Sequence, residues 1–169
     1  PEGDYNRDQM RKNFDADHLV FGPSVDVLKK LNRLCFKKMG DMNWHAHCGI
    51  FTYPFQIAVK FNISILIWGE TFWDISGMFD SDESPEFTRR MRLENNLRGY
   101  DWHDMIDDSE GIKEKDLLWA KFPTDQEYLS NNIRGLALGN YFKWDANNNF
   151  KISKENYGWK EVVQPFERT

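Results

Sequence analysis

The chain has 169 residues, 40% of them hydrophobic and 15% aromatic, enough apolar material for a packed core and too much for wholesale disorder. Its formal net charge of −5 is the wrong sign for a partner held by its phosphate backbone, so no nucleic-acid partner is expected. Cys35 and Cys48 are the two cysteines, which argues against a disulfide framework and suits a reducing, cytoplasmic compartment, and no apolar run nears the roughly 20 residues of a membrane helix.

Asp17-His-Leu-Val-Phe21 reads as a short strand closed by Gly22 and Pro23. Ser24 is then placed to cap a helix carrying Leu28, Leu31, Cys35 and Met39 at helical spacing, with Gly40 ending it. Asp41 to Gly49 has no clear period and is expected to be a loop. A second helical pattern follows, with Phe51, Phe55, Ala58 and Phe61 on one face and Pro54 in its first turns.

Ile63 to Trp68 is apolar almost throughout, as in a strand covered on both faces within a parallel sheet. Gly69 breaks it and Glu70 follows, and residues 71–84 read as a loop. Ser84-Pro85-Glu86 is expected to open a charged helix running to about Leu97. Residues 100–132 read as short helices and turns, one of them started by Pro123 and Thr124. Arg134 to Leu138 is a further buried strand ended by Gly139-Asn140, and 146–157 returns as a helix. Strands alternating with helices indicate an α/β fold with a mostly parallel sheet and flanking helices, and the chain is expected to be one partial domain over 1–169.

Open α/β sheets bind ligands beyond the carboxyl ends of their strands. Trp68-Gly69-Glu70 stands at one such end, and Gly139-Asn140-Tyr141, followed by Lys143, Trp144 and Asp145, at the other. Both stretches also suit ordinary strand-to-loop turns, where Gly and Asn are common. The segment holding Asn43, Trp44, His45, His47 and Cys48 has three potential metal ligands but no second ligand cluster to complete a zinc site. It reads instead as a substrate-holding loop or a plain surface loop, with no metal expected. Asp145 to Asn156 begins like a calcium loop, yet Phe150 stands where Gly is needed and Asn156 where a bidentate Glu is needed. The acidic stretch Asp101, Asp104, Asp107 and Asp108 around His103 is adequately explained as a solvated face. Neither common nucleotide fingerprint is present, and there is no nucleophile elbow.

Several phrases in order resemble the N-acetyl sugar amidotransferase family: Lys38 to Ile50, Tyr53-Pro54, Ala58 to Phe61, Ile67-Trp-Gly-Glu70, Arg134-Gly, Leu138-Gly-Asn-Tyr-Phe-Lys-Trp-Asp145, Tyr157-Gly158 and Gln164 to Thr169. The resemblance spans about Phe14 to Thr169 and is weakest between about 72 and 110. It implies a PP-loop ATP pyrophosphatase fold, of the adenine-nucleotide-hydrolase-like group and incomplete here at both ends. It further implies ATP-dependent conversion of a sugar N-acetyl group to an acetamidino group, in bacterial surface-polysaccharide, lipopolysaccharide or nonulosonic-acid synthesis. ATP with Mg2+ is the implied cofactor, a glutaminase subunit the implied ammonia source, and a nucleotide-activated N-acetyl sugar the implied substrate. The family's Ser-Gly-Gly-x-Asp-Ser loop is expected upstream of these residues, so this stretch alone is expected to hydrolyse no ATP. The Cys-x-x-Cys pair of some members is replaced by Asn43-Trp-His-Ala46.

By position the resemblance gives Glu70, His47 and His45 catalytic roles. Trp68, Gly69 and Asn140 fall to the nucleotide, and Asn43, Trp44, Lys143 and Asp145 to the sugar. Two rival readings are a PP-loop enzyme acting on tRNA, disfavoured by the acidic charge and the lack of a cysteine pair, and a non-catalytic sugar- or nucleotide-binding module.

Overall fold

The computed structural model describes residues 2–69 and 86–161. Its elements are α1 (Glu2–Phe14), α2 (Val25–Met39), α3 (Trp44–Phe61), β1 (Ile65–Trp68), α4 (Asp125–Ser130), β2 (Arg134–Ala137) and α5 (Ala146–Tyr157). A π-helical turn covers Met91–Asn96, and 3-10 turns cover Trp102–Met105, Glu114–Ala120 and Leu138–Asn140. The architecture is mixed, mostly helical, with one small parallel pair of strands flanked by helices. Contacts divide the chain into two compact units, residues 23–143 and residues 1–22 with 144–169.

In the larger unit, α2 forms where the spacing predicts it. Ser24 stands at its N-cap position, though without a side-chain cap bond, and Gly40 closes it at φ 70° with its N–H on Phe36 O. Val27, Leu31, Leu34 and Cys35 make its buried stripe. Against them packs α3, which begins earlier than expected. Asp41 to Gly49 is not a loop: Asn43 takes the N-cap position, and Trp44 and Cys48 are already buried one turn apart. Those two continue through Phe51, Phe55 and Ala58 as one helical stripe. Pro54 therefore sits in the interior of an 18-residue helix, while Phe61, expected on the buried face, is 58% exposed.

The strands β1 and β2 pair in parallel, with Ile65 opposite Arg134 and Trp68 opposite Ala137. Side chains alternate across a strand, so Trp68 and Ala137 turn inward and join Phe51, Phe55 and Phe87 in one core cluster. The cover expected on both faces is not found, since Ile65 and Ile67 are 47% and 59% exposed. Packing against α3 buries one face of the pair, and an apolar sequence by itself does not supply the second layer. Glu86 adds an antiparallel bridge to Leu136. Helical structure then runs from residue 89 into the π-helical turn. Ser84 and Pro85, its expected start, lie outside the described residues.

A second core cluster unites α2, the first turns of α3 and the 3-10 segments through Leu31, Trp44, Leu97, Met105 and Leu117. Thr124 caps α4 as expected, its hydroxyl accepting from Glu127 N at 3.3 Å while the Glu127 carboxylate accepts from Thr124 N at 2.9 Å.

The smaller unit pairs α1 with α5. The Phe14 and Tyr157 rings pack tilted at 38°, with centroids 4.9 Å apart. The buried Asn6 amide donates to Lys160 O and accepts from Lys160 N, both at 2.8 Å. Asp17 to Phe21 is not a strand; residues 16–24 have no regular structure, and Leu19 and Val20 are 62% and 68% exposed. The sheet among the described residues has two strands, neither of which pairs with this segment, and an apolar run without a ladder partner cannot satisfy its backbone as a strand.

Candidate functional site

Parallel pairing in register makes β1 and β2 end side by side, so Gly69 and Leu138 leave the sheet next to each other. The two stretches singled out on sequence grounds, Trp68-Gly69 and Gly139-Asn140, are thereby brought to one edge. Gly69 is exposed, and a Cβ placed on it would meet no atom of the described residues within 4 Å. Glu70 lies outside the described residues.

Trp68 contributes to this edge from below. It is 8% exposed, with its ring among Phe51, Phe55 and Phe87 at centroid distances of 5.7–5.8 Å. The face expected to meet a ligand is therefore packed in the core. Beyond β2 the chain makes a 3-10 turn over Leu138–Asn140, closed by Tyr141 N and Phe142 N donating to Leu138 O at 3.0 and 2.9 Å. Asn140 is half-buried and Lys143 exposed. Tyr141, part of the strand-end phrase, is 51% exposed, and Phe142, to which sequence reasoning gave no role, is 70% exposed. The signal available in the sequence was two aromatics directly after a strand-ending Gly-Asn.

The other singled-out residues stand elsewhere. Asp145 belongs to the smaller unit, where its carboxylate caps α5 by accepting from Asn148 N at 2.9 Å. Trp44 is 1% exposed, and its indole donates to Tyr100 O at 2.8 Å, so its ring is a core element. Asn43 is exposed at the head of α3, with its N–H on Asp41 Oδ1 at 2.7 Å. His45 and His47 follow in the first turns of α3, both half-buried. Burial lowers the His45 pKa against the opposing influence of its Nδ1 contact with Met42 O at 3.2 Å.

A buried polar network links α3 to the segment after β1. The Arg92 guanidinium donates to Thr52 Oγ1 at 2.8 Å, to Asp101 Oδ1 at 2.8 Å and to Ala120 O at 3.3 Å, and lies 5.0 Å from the Phe122 ring centre. Cys48 Sγ faces Thr52 Oγ1 at 3.6 Å. Among the described residues, no group of three or more His, Cys, Asp or Glu side chains is placed to hold a metal ion. No helix among them is long and apolar enough to cross a membrane.

The described part of the edge consists of exposed Gly69 and half-buried Asn140, with exposed Lys143 three residues further on. It includes no run of backbone amides for a pyrophosphate. No model of a known protein family matches this chain, and no curated protein matches it.

Proposed function

We propose that these residues belong to an ATP-dependent amidotransferase that converts a sugar N-acetyl group to an acetamidino group. One observation carries the reading. The parallel register of β1 and β2 sets the Trp68-Gly69 and Leu138-Gly-Asn140 phrases, two of those that resemble the N-acetyl sugar amidotransferases, at one carboxyl edge. That edge is where open α/β sheets receive ligands.

An amide oxygen leaves poorly. ATP, when bound, would supply the activation, the amide oxygen leaving in AMP with pyrophosphate released, and ammonia from a glutaminase partner would take its place. The residues of this chain hold the reactants and offset charge. Gly69 and Asn140 would hold the nucleotide, and Lys143 would supply positive charge for its phosphates. Glu70 and His47 are the candidate proton-transfer groups. His45, its pKa lowered by burial, stays neutral at pH 7 and can accept a proton. Asn43 lies at the start of the same helix and is assigned to the sugar. The site so described belongs in the cytoplasm, where nucleotide-activated sugars are available.

The test uses the complete open reading frame that encodes these residues. It is incubated with ATP, ammonium and a panel of nucleotide-activated N-acetyl sugars, and products are read by mass spectrometry. Exchange of the acetyl oxygen for nitrogen, with AMP released, supports the reading and names the sugar. Sugar or nucleotide binding without exchange replaces it with the non-catalytic binding module. Glu70→Gln in the same protein is expected to cut turnover while leaving it folded.

A further inference from the structure

The first turn of α3 carries a histidine whose ring is held by a residue of α2. With its side-chain nitrogen turned towards α3, the half-buried Asn32 donates to Met42 O at 2.9 Å and to His45 Nδ1 at 3.0 Å. The opposite orientation sets the amide oxygen against two carbonyls, Met42 O and Leu28 O, and neither can donate to it. A ring nitrogen that accepts this bond carries no proton, so the neutral His45 ring bears its proton on Nε2. Nε2 has no partner among the described residues, which leaves it as the nitrogen a ligand can meet.

We propose that Asn32 is the positioning residue for His45, fixing the neutral ring in the Nε2–H form so that it donates a hydrogen bond to an oxygen of the substrate. This rests on the reading above, in which His45 meets the N-acetyl sugar. The acceptor it fits is the acetyl oxygen, which gathers negative charge as ammonia displaces it. The groups that act on the ring are few. Asp41 and His47 are its titratable neighbours, and Met42 O lies 3.2 Å from Nδ1. Met42 O by itself would draw a proton to Nδ1. The Asn32 amide opposes that by filling the Nδ1 lone pair and Met42 O at once, and a bond to the bare nitrogen favours the neutral ring, in the same direction as burial. For His45 to take a proton at Nε2, the ring must first carry its own on Nδ1 and give up the Asn32 bond. A base role for His45 therefore begins with a tautomer exchange that Asn32 restrains.

The experiment records long-range proton–nitrogen correlation spectra of the full-length protein, labelled at histidine, above the His45 midpoint. It compares wild type with Asn32→Asp and Asn32→Leu. Both lack the donor, Leu serves should Asp not fold, and the His103 signals report folding. Wild type is expected to show a bare Nδ1 and a protonated Nε2. In both variants the proton is expected to move to Nδ1, where Met42 O or the new carboxylate receives it, and the midpoint to rise. Amidination by Asn32→Asp is expected to fall roughly a hundredfold in kcat, the size of one lost donor to a developing charge, with KM for the sugar far less affected. A wild-type ring protonated at Nδ1, or one tautomer shared by all three proteins, overturns the proposal. A tautomer that moves while turnover holds overturns the donor role. The expected spectra from a full-length protein that amidinates no sugar overturn the amidotransferase reading and uphold the grip of Asn32 on His45.

Discussion

The indole N–H of Trp68 donates to the main-chain carbonyl of Ile50 at 3.4 Å. In an unbroken helix that carbonyl would accept from the residue four places on, which here is Pro54 and has no N–H. A proline in the helix interior is thus matched by a donor from the neighbouring strand, and the last residue of β1 is tied to the middle of α3. Trp68→Phe removes the donor and keeps an aromatic ring against Phe87. It is expected to lower unfolding free energy by about 1 kcal/mol, whereas Trp68→Ala, which empties the site, costs about 3–5 kcal/mol. Urea denaturation of the two variants distinguishes them, and equal losses would remove the hydrogen bond from the account.

Gly135 faces the same ring across the strand pair. A Cβ there would stand 2.6 Å from Phe87 Cβ and 3.0 Å from Trp68 Cζ3. Phe87 cannot withdraw, because its N–H is bonded to Gly135 O at 2.8 Å. Gly135→Ala is therefore expected to destabilise by about 1–3 kcal/mol through overpacking, despite the better strand propensity of alanine. An unchanged thermal midpoint would show that the strand pair yields without cost.

Much of the helical frame was legible because its punctuation is local. Ser24, Gly40 and Thr124 mark helix ends by local position and cap chemistry, whereas Asp145, assigned to the sugar, and Gly158 turn out to be the caps of α5. The parallel relation of β1 and β2 was legible too, from two apolar runs separated by helical stretches. The start of α3 was not: histidines between Trp44 and Cys48 looked like chemistry, and the four-residue spacing of the two buried side chains went unused. Trp68 was read as offering a face to a nucleotide, but burial depends on Phe51, Phe55 and Phe87, which are distant in sequence. The exposure of Ile65 and Ile67 belongs to the same class, since layer count is a tertiary property.

Asp101 and Arg92 form the ion pair at the centre of the buried network, with side chains 23% and 4% exposed. Burial pushes the Asp101 carboxyl up, and the Arg92 guanidinium with the Trp102 N–H outweighs it, so the pKa lies below the ordinary value. A carboxyl with a depressed folded pKa contributes stability that is present above its unfolded value and lost as pH falls through the folded one. Wild-type stability is accordingly expected to fall as pH drops below roughly 4. Asp101→Asn flattens that acid limb and costs about 3–5 kcal/mol at neutral pH, because it leaves Arg92 buried beside no counter-charge. Parallel acid limbs in the two proteins would sever the link.

Both thiols are held protonated by burial, Cys35 pushed up to about 12 and Cys48 to about 11. Thiolate is the reactive form, so neither is expected to react appreciably with iodoacetamide at pH 8 until the protein unfolds. The linkage has the opposite sign to that of Asp101. The unfolded thiols ionise near 9 while the folded ones keep their protons, so stability falls as pH rises from about 9 towards 11. Fast alkylation of the native protein at pH 8, read by intact mass, would contradict the buried placement.

His45 titrates below the usual histidine value near 6.5, with burial as the main cause. Folding therefore favours the neutral ring, and stability is expected to fall as pH drops through about 6.5, where the unfolded ring takes up a proton that the folded one refuses. The same displacement bears on catalysis. A base must be unprotonated to act, and a depressed pKa extends the range in which His45 is available on the acid side. Proton NMR is expected to give a His45 midpoint below that of an unfolded reference, and the acid limb of amidination by the full-length enzyme is expected to follow it. His45→Gln, which cannot titrate, removes that limb together with most of the turnover if His45 is the base. If the limb persists in the variant at the same midpoint, the proton-transfer role passes to His47 or Glu70, and His45 remains only a half-buried residue of the first turn of α3.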